Sequence, residues 1–324
     1  MTAAIDLFPQ EQFTKLPHVQ GGACVFSNIT FQGEAIKLWV PEEDRDVVLG
    51  YDVEQDGSRF RRTQTERSYT GQLAITGLNG TRFCEMPNLN LAFPKVVTFP
   101  GGRSVVASTR CRRLRDGSHE LNGNVYGADG SVEARFCLGD AIKHLQIDAS
   151  GRIWAGYSDE GVFGNYGWGP LFGDATPIGA AGLVCFDRNG SCMWEYKEPQ
   201  GFDHLIDCYA LNCADEAVWV CCYIDFPIIR IDSEFRVTAW HSDLSGPREM
   251  AVDGDRLLVY GGYMDNANDC WLVKLGDSAA ERILPVQLRL PNGVGLDNAA
   301  VVGRGRFLHV LIDDFWYRFA VPPI

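Results

Sequence analysis

Polar and titratable residues recur in this sequence at fixed offsets from a repeated type of apolar strand. Eight positions before the strands that begin at 103, 152, 217, 256 and 306 stand Lys95, His144, Tyr209, Arg248 and Asn298. Seven or eight positions after the same starts stand Arg110, Asp159 with Glu160, Asp225, Tyr263 (with Asp265 nearby), and Asp313 with Asp314. Carboxylates at one offset could hold a hard divalent cation, which takes six to eight oxygen ligands. The residues suited to that are Asp159, Asp225, Asp265 and Asp313, and calcium is the expected ion if a metal is held. A histidine beside carboxylates can serve as a general base. His204, near Asp203 and Asp207, and His144, beside Lys143, are the two candidates.

A second feature is the segment 156–182, GYSDEGVFGNYGWGPLFGDATPIGAAG. It carries eight glycines and the aromatics Tyr157, Phe163, Tyr166, Trp168 and Phe172. Long loops in compact domains are usually functional, and disordered segments seldom hold so many aromatics. The expectation is a lid or a partner anchor, with Tyr157, Tyr166 and above all Trp168 as binding residues; a loop folded down to plug the channel is the alternative. Trp168 lies between glycines, off the strand repeat, so it is expected to be exposed and to contribute to binding rather than to stability.

Familiar catalytic signatures are missing. There is no G-x-S-x-G, no H-E-x-x-H and no G-x-x-x-x-G-K-[ST]. The glycines of 167–173 lack dinucleotide spacing, and the stretch from Asp52 to Gly57 lacks the downstream glutamate of a calcium loop.

The elements that must position these residues are strands. The second strand of each repeat reads RSVVAST, RIWAGYS, AVWVCCY, RLLVYGG or RFLHVLI, each after a turn rich in Gly, Asp or Asn. A further hairpin follows in VYGADGSVEARF, LVCFDRNGSCMWEY and IIRIDSEFRVTAW. The unit is therefore four short antiparallel strands, too small to stand alone, and tandem copies imply an all-β propeller. The blades are placed at 22–67, 91–139, 142–198, 205–241, 247–289 and 296–321 within a single domain spanning 1–324. Residues 68–90 are read as an inter-blade excursion. The last blade shows three strands, so 12–19 is expected to supply the fourth and remove an open edge. Six blades is the expectation, seven the alternative. No window has helical periodicity.

The repeats HLQIDASGRIWAGY (144–157) and AGLVCFDRNGSCMWEY (181–196) resemble those of six-bladed propellers such as NHL-repeat proteins, the SMP-30/gluconolactonase family and strictosidine synthase-like proteins. The resemblance lies in repeat shape and covers about two thirds of the chain. It implies ligand binding at one mouth of a central channel. For the lactonase-type members it also implies one divalent ion, held by Glu, Asn and Asp. The Glu-Gly-Pro stretch of that family is absent; Gly21-Gly22-Ala23 stands about where it would fall.

Composition bounds the partners. The 324 residues carry 29 basic and 42 acidic side chains, a net charge of −13. That argues against nucleic acid and anionic membranes as partners, since both need a basic face. No apolar run is long enough to span a bilayer and the N-terminus lacks a basic leader, so a cytoplasmic location is expected. The eleven cysteines, without any C-x-x-C, are then free thiols serving mainly as small core hydrophobes. Two functions follow. One is recognition of a basic or cationic protein, peptide or small-molecule ligand at an acidic, aromatic-lined mouth. The other is a lactonase or ester hydrolase using one metal ion, with His144 or His204 as base.

Overall fold

Apolar second strands bounded by Gly- and Asp-rich turns become the buried centres of small sheets. In a computed structural model, residues 4–9, 11–13, 15–172, 175–293 and 295–323 are described. They fall into two compact units. One comprises Pro17–Glu195, the other Tyr196–Ile324 together with the N-terminal residues up to Leu16.

The Pro17–Glu195 unit holds three antiparallel four-stranded meanders. The first is Gly22–Ile29, Ala35–Pro41, Gln64–Gly77 and Gly80–Leu91. The second is Pro94–Thr98, Ser104–Ser108, Gly123–Tyr126 and Val132–Phe136, and the third is Ile142–Ile147, Ile153–Tyr157, Leu183–Phe186 and Cys192–Glu195. Every residue of Ser104–Ser108 and Ile153–Tyr157 is buried, whereas Val132–Phe136 and Cys192–Glu195 are mostly exposed. This gradient explains why the second strands read as continuous apolar runs and the outer ones as mixed.

The Asp-x-x-Gly turns have a specific cause. In the third meander Asp148 accepts the Ser150 and Arg152 amides on Oδ1, at 2.9 and 3.0 Å. Trp154 Nε1 donates to Asp148 Oδ2 at 2.9 Å. Gly151 takes the left-handed conformation (φ +77°) that closes the turn. One carboxylate thus ties the turn to the tryptophan six residues on.

The excursion expected at 68–90 is not one. Those residues make the two long outer strands of the first meander. The hairpin at 47–62, expected inside that blade, is instead a separate two-stranded sheet, Tyr51–Val53 with Arg59–Arg61, preceded by the one-turn helix Arg45–Val48. Its short alternating strands mimicked the repeat, while the real third strand begins at Gln64 with the polar run QTERSYT.

The second unit holds three more meanders. The fourth is Asp207–Cys213, Ala217–Tyr223, Ile228–Asp232 and Val237–Ser242. The fifth is Glu249–Asp253, Arg256–Tyr260, Cys270–Leu275 and Ala279–Leu288. Their outer strands meet in a short parallel pairing, His241 with Ala279 and Ser242 with Ala280. The sixth is Ala300–Arg304, Phe307–Ile312 and Phe315–Ala320, with Glu11–Phe13 as its fourth strand, antiparallel to Phe315–Ala320. The N-terminal strand is shorter than the expected 12–19, of which Thr14 lies outside the described residues. Past it, the Leu16 amide donates to the Asp314 carbonyl at 2.6 Å and the Leu16 side chain is buried. Ile5–Leu7 adds in parallel to the end of Ala279–Leu288.

The chain is thus all-β, in meanders of propeller-blade type, and no described helix is long and apolar enough to cross a membrane. Cys185, Cys208, Cys221, Cys222 and Cys270 are buried.

Candidate functional site

The residues singled out in sequence divide between the units. Lys95, Arg110, His144, Tyr157, Asp159, Glu160, Tyr166 and Trp168 belong to the Pro17–Glu195 unit; His204, Tyr209, Asp225, Arg248, Tyr263, Asp265, Asn298 and Asp313 belong to the other. Among the described residues, no three of His, Cys, Asp and Glu gather closely enough to hold a metal ion. Asp159, Asp225, Asp265 and Asp313 are therefore not brought into one ligand set. Asp225 and Asp313 serve their turns, with left-handed φ of +61° and +50°. Asp159 Oδ1 accepts the Glu160 amide at 2.8 Å.

In the Tyr196–Ile324 unit, aromatic residues cluster. Tyr209, in the first strand of the fourth meander, packs edge-on against Phe226 (5.1 Å between centroids) and Tyr263 (6.0 Å). Tyr223 closes the group, 6.5 Å from Tyr209 and 5.9 Å from Phe226, and Phe226 lies 5.9 Å from Tyr263. The Tyr263 hydroxyl donates to that of Tyr209 at 2.9 Å. Desolvation, then this bond, raises the Tyr209 pKa, with nearby Asp207 adding to the shift, so its hydroxyl stays neutral at physiological pH. Gly246, at φ +66°, lies under the Tyr263 ring, and a Cβ there would come within 3.1 Å of three ring atoms. Phe226 is buried, but Tyr223 and Tyr263 are 41% and 42% exposed. Asp225 and Asp265 sit in the same two turns, both exposed. Arg248 is exposed at the start of the fifth meander, where its amide donates to the Tyr260 carbonyl at 2.7 Å. Asn298 is exposed in the turn before the sixth meander. His204 forms an exposed contact with Glu198 at 3.6 Å.

In the Pro17–Glu195 unit, Arg110, Glu160 and Tyr166 do converge. Arg110 is buried, lies over the Tyr166 ring (4.2 Å to the centroid) and makes ion pairs with Asp140, at 3.1 Å, and with Glu160. Asn165 Nδ2 donates to the other Glu160 oxygen at 2.9 Å. Asp140 is buried and accepts the Cys111 amide at 2.8 Å. Desolvation lifts its carboxyl to about 6, against the opposing pull of Arg110. Lys95 lies over the Phe26 ring at 5.7 Å, and His144 is half-buried opposite Gly156.

Two expected binding residues prove to be core. Trp168 is only 5% exposed; its Nε1 donates to the Cys111 carbonyl at 3.0 Å and its ring stacks on His119. Tyr157 is fully buried and donates to the Leu138 carbonyl. The Gly-rich segment is long enough to fold on itself. It makes the short helix Asp159–Phe163 and packs Trp168 beneath, so it is no open lid. The Phe172 side chain and residues 173–174 lie outside the described residues.

Sequence reasoning missed Tyr223, Phe226 and Asp140. Tyr223 ends the fourth meander's second strand and Phe226 lies in the turn after it, so both look like ordinary strand-end residues; Asp140 is a lone acid whose burial nothing local announces.

No known protein family matches this sequence, and no curated protein matches it. Among solved structures the chain is similar to a catalytically inactive virginiamycin B lyase from Staphylococcus aureus with quinupristin, at 10% identity and a TM-score of 0.47, covering 95% of this chain and 98% of that one. It is also similar to a gluconolactonase from Xanthomonas campestris (12%, TM-score 0.43, 96% and 100% covered) and to BamB from Moraxella catarrhalis (12%, TM-score 0.43, 98% and 85% covered).

Proposed function

We propose that this protein is a recognition protein whose six four-stranded meanders are propeller blades, and that it binds a cationic group on the surface formed by Tyr209, Tyr223, Phe226 and Tyr263. The observation that carries this reading is the exposure of two tyrosine rings in a mutually packed aromatic group flanked by Asp225 and Asp265. The negative face of an aromatic ring attracts an ammonium or guanidinium, by about 0.5–1 kcal/mol when exposed and about 2 when desolvated. Neighbouring carboxylates add a longer-range attraction, and a net charge of −13 speeds the encounter in a salt-dependent way. Among the described residues no basic side chain lies over Tyr223 or Tyr263, so a ligand's cation meets no competitor on those faces. The ligand is a small quaternary ammonium or a basic peptide.

Calorimetric titration with tetramethylammonium and with an oligolysine peptide tests the reading and separates the two ligand types. The expected result is saturable binding of at least one. Tyr223→Ala and Tyr263→Ala should each weaken it about five- to tenfold, with stability lowered by about 1–2 kcal/mol because each ring is a little more than half covered. No saturation by either probe, or full affinity in the double variant, overturns it.

A further inference from the structure

The Pro17–Glu195 unit carries a cleft of opposite character. The isolated hairpin Tyr51–Val53/Arg59–Arg61 forms one wall, and residues near the ends of the second and third meanders form the other, around about 480 Å³. That is within the usual size of small-molecule sites, about 300–1,000 Å³. Its charged lining is Arg59, Arg61, Arg110 and Lys143, with Glu160 the only carboxylate among the described lining residues. In a chain with 42 acidic residues this concentration of cations is local.

The arginines are held in place. Arg59 stacks on Tyr51 (4.6 Å to the centroid) and Arg61 on Phe93 (4.9 Å), while Tyr51 and Phe93 pack edge-to-face at 5.1 Å. The period of two in a strand puts Arg59 and Arg61 on one face of the hairpin. A stacked guanidinium keeps its N–H edge free for an acceptor in its own plane. Their neighbour Arg62 is neutralised by Asp52 at 3.0 Å and Glu66 at 2.8 Å, yet neither Arg59 nor Arg61 pairs with a carboxylate among the described residues. The hairpin is fixed to the opposite wall by the Tyr166 hydroxyl, which donates to the Arg61 carbonyl at 2.6 Å.

Two residues that line the cleft each carry a buried donor atom with no hydrogen-bond partner among the described residues. Thr109 and Arg110 are each only 7% exposed, and Thr109 Oγ1 and Arg110 Nε make no hydrogen bond. An unsatisfied buried polar group costs about 1–3 kcal/mol and calls for an explanation. Both are donors, and both belong to residues that line the cleft together with Arg59, Arg61 and Lys143. An acceptor-rich, negatively charged group would give the two donors a partner.

We propose that this cleft is a binding site for a small dianion bearing carboxylate or phosphate groups, held by the Arg59 and Arg61 guanidiniums on one wall and by Thr109, Arg110 and Lys143 on the other. Charge-assisted, bidentate contacts of this kind are what Arg offers to planar carboxylate and to phosphate.

Titration of the full chain at pH about 7.5 with succinate and with inorganic phosphate, and with uncharged succinamide as control, separates the two oxyanion sources. At least one dianion should saturate and raise the melting temperature, while succinamide should not. The double variant Arg59→Gln/Arg61→Gln changes only exposed side chains and should fold normally, as circular dichroism will show, yet bind about tenfold or more weakly. Thr109→Val removes the hydroxyl at nearly constant shape and should weaken binding about three- to tenfold. Failure of both dianions to saturate, or undiminished affinity in the double variant, overturns the site. Tetramethylammonium binding serves as an independent readout, which these variants should leave unchanged.

Discussion

The turns between second and third strands show two uses of aromatic residues. In the fourth meander this turn is four residues long, 224–227, and in the third it runs from 158 to 182. The short turn has no length to fold over its own rings, so Tyr223 is left exposed beside Asp225. The long one makes a helical turn, buries Trp168 and presents Tyr166 as a platform for Arg110. The ring faces differ accordingly. Around Tyr51, Phe93 and Tyr166 the protein's own guanidiniums already cover the aromatics, which turns them into supports for positive charge. Among the described residues, no such internal cation lies over Tyr223 or Tyr263. An aromatic cluster therefore does not define ligand charge by itself; what matters is whether the chain has used the ring faces internally.

The largest test separates the two units. Deleting residues 1–16 removes Glu11–Phe13 from the edge of Phe315–Ala320 and the cover supplied by Leu16. The exposed edge is then free to pair with other chains. Hydrogen exchange should show Phe315–Ala320 losing protection while Ser104–Ser108 keeps it, with much reduced soluble yield. Unchanged protection at 315–320 would show that the pairing contributes nothing.

Next, Trp168→Ala should cost about 3–5 kcal/mol, the range for truncating a buried aromatic, read by denaturant melting. It should also abolish dianion binding by loosening the Tyr166 wall, and leave ammonium binding intact. A stability loss under about 0.5 kcal/mol would restore Trp168 as an exposed anchor.

The third test concerns the buried acid behind Arg110. Asp140 faces Arg110, with Glu160 beyond, and its folded pKa is raised from 3.8 to about 6, chiefly by desolvation. The folded state therefore favours the protonated form. The stabilising contribution is complete below about pH 4, is lost as pH rises to about 6, and stays lost above; it amounts to about 3 kcal/mol. Asp140→Asn keeps an acceptor for the Cys111 amide and removes the titration. Its melting temperature relative to the parent should rise between pH 4 and 7. A pH-independent difference would mean that Asp140 stays ionised throughout.

The blade pattern was legible because its causes are local. Asp148, Gly151 and Trp154 form one hydrogen-bonded turn within seven residues, and a buried second strand must be continuously apolar. The first meander was misread because a hairpin of the right length, 51–61, stood where its third and fourth strands were expected. Among the candidate site residues, Tyr209, Asp225 and Tyr263 were singled out by their offsets, as were Arg110 and Glu160, and Tyr166 by the Gly-rich aromatic segment. Trp168 was misjudged because burial is tertiary: its partners are Cys111 and His119, about fifty residues away in sequence. The Arg59 and Arg61 pair showed only as the run RFRR, with nothing local to place Phe93 beneath it.

The pairing of Glu11–Phe13 with Phe315–Ala320 also sets an order of events during synthesis. The second partner emerges from the ribosome about 300 residues after the first. Elongation proceeds at about 5–20 residues per second, so the N-terminal strand waits at least about 15 s for its neighbour. Meanwhile the Pro17–Glu195 segment, whose sheets pair within itself, is free to fold. The sixth meander is the last of the six to be completed, and until then Glu11–Phe13 is open to chaperones and to neighbouring nascent chains.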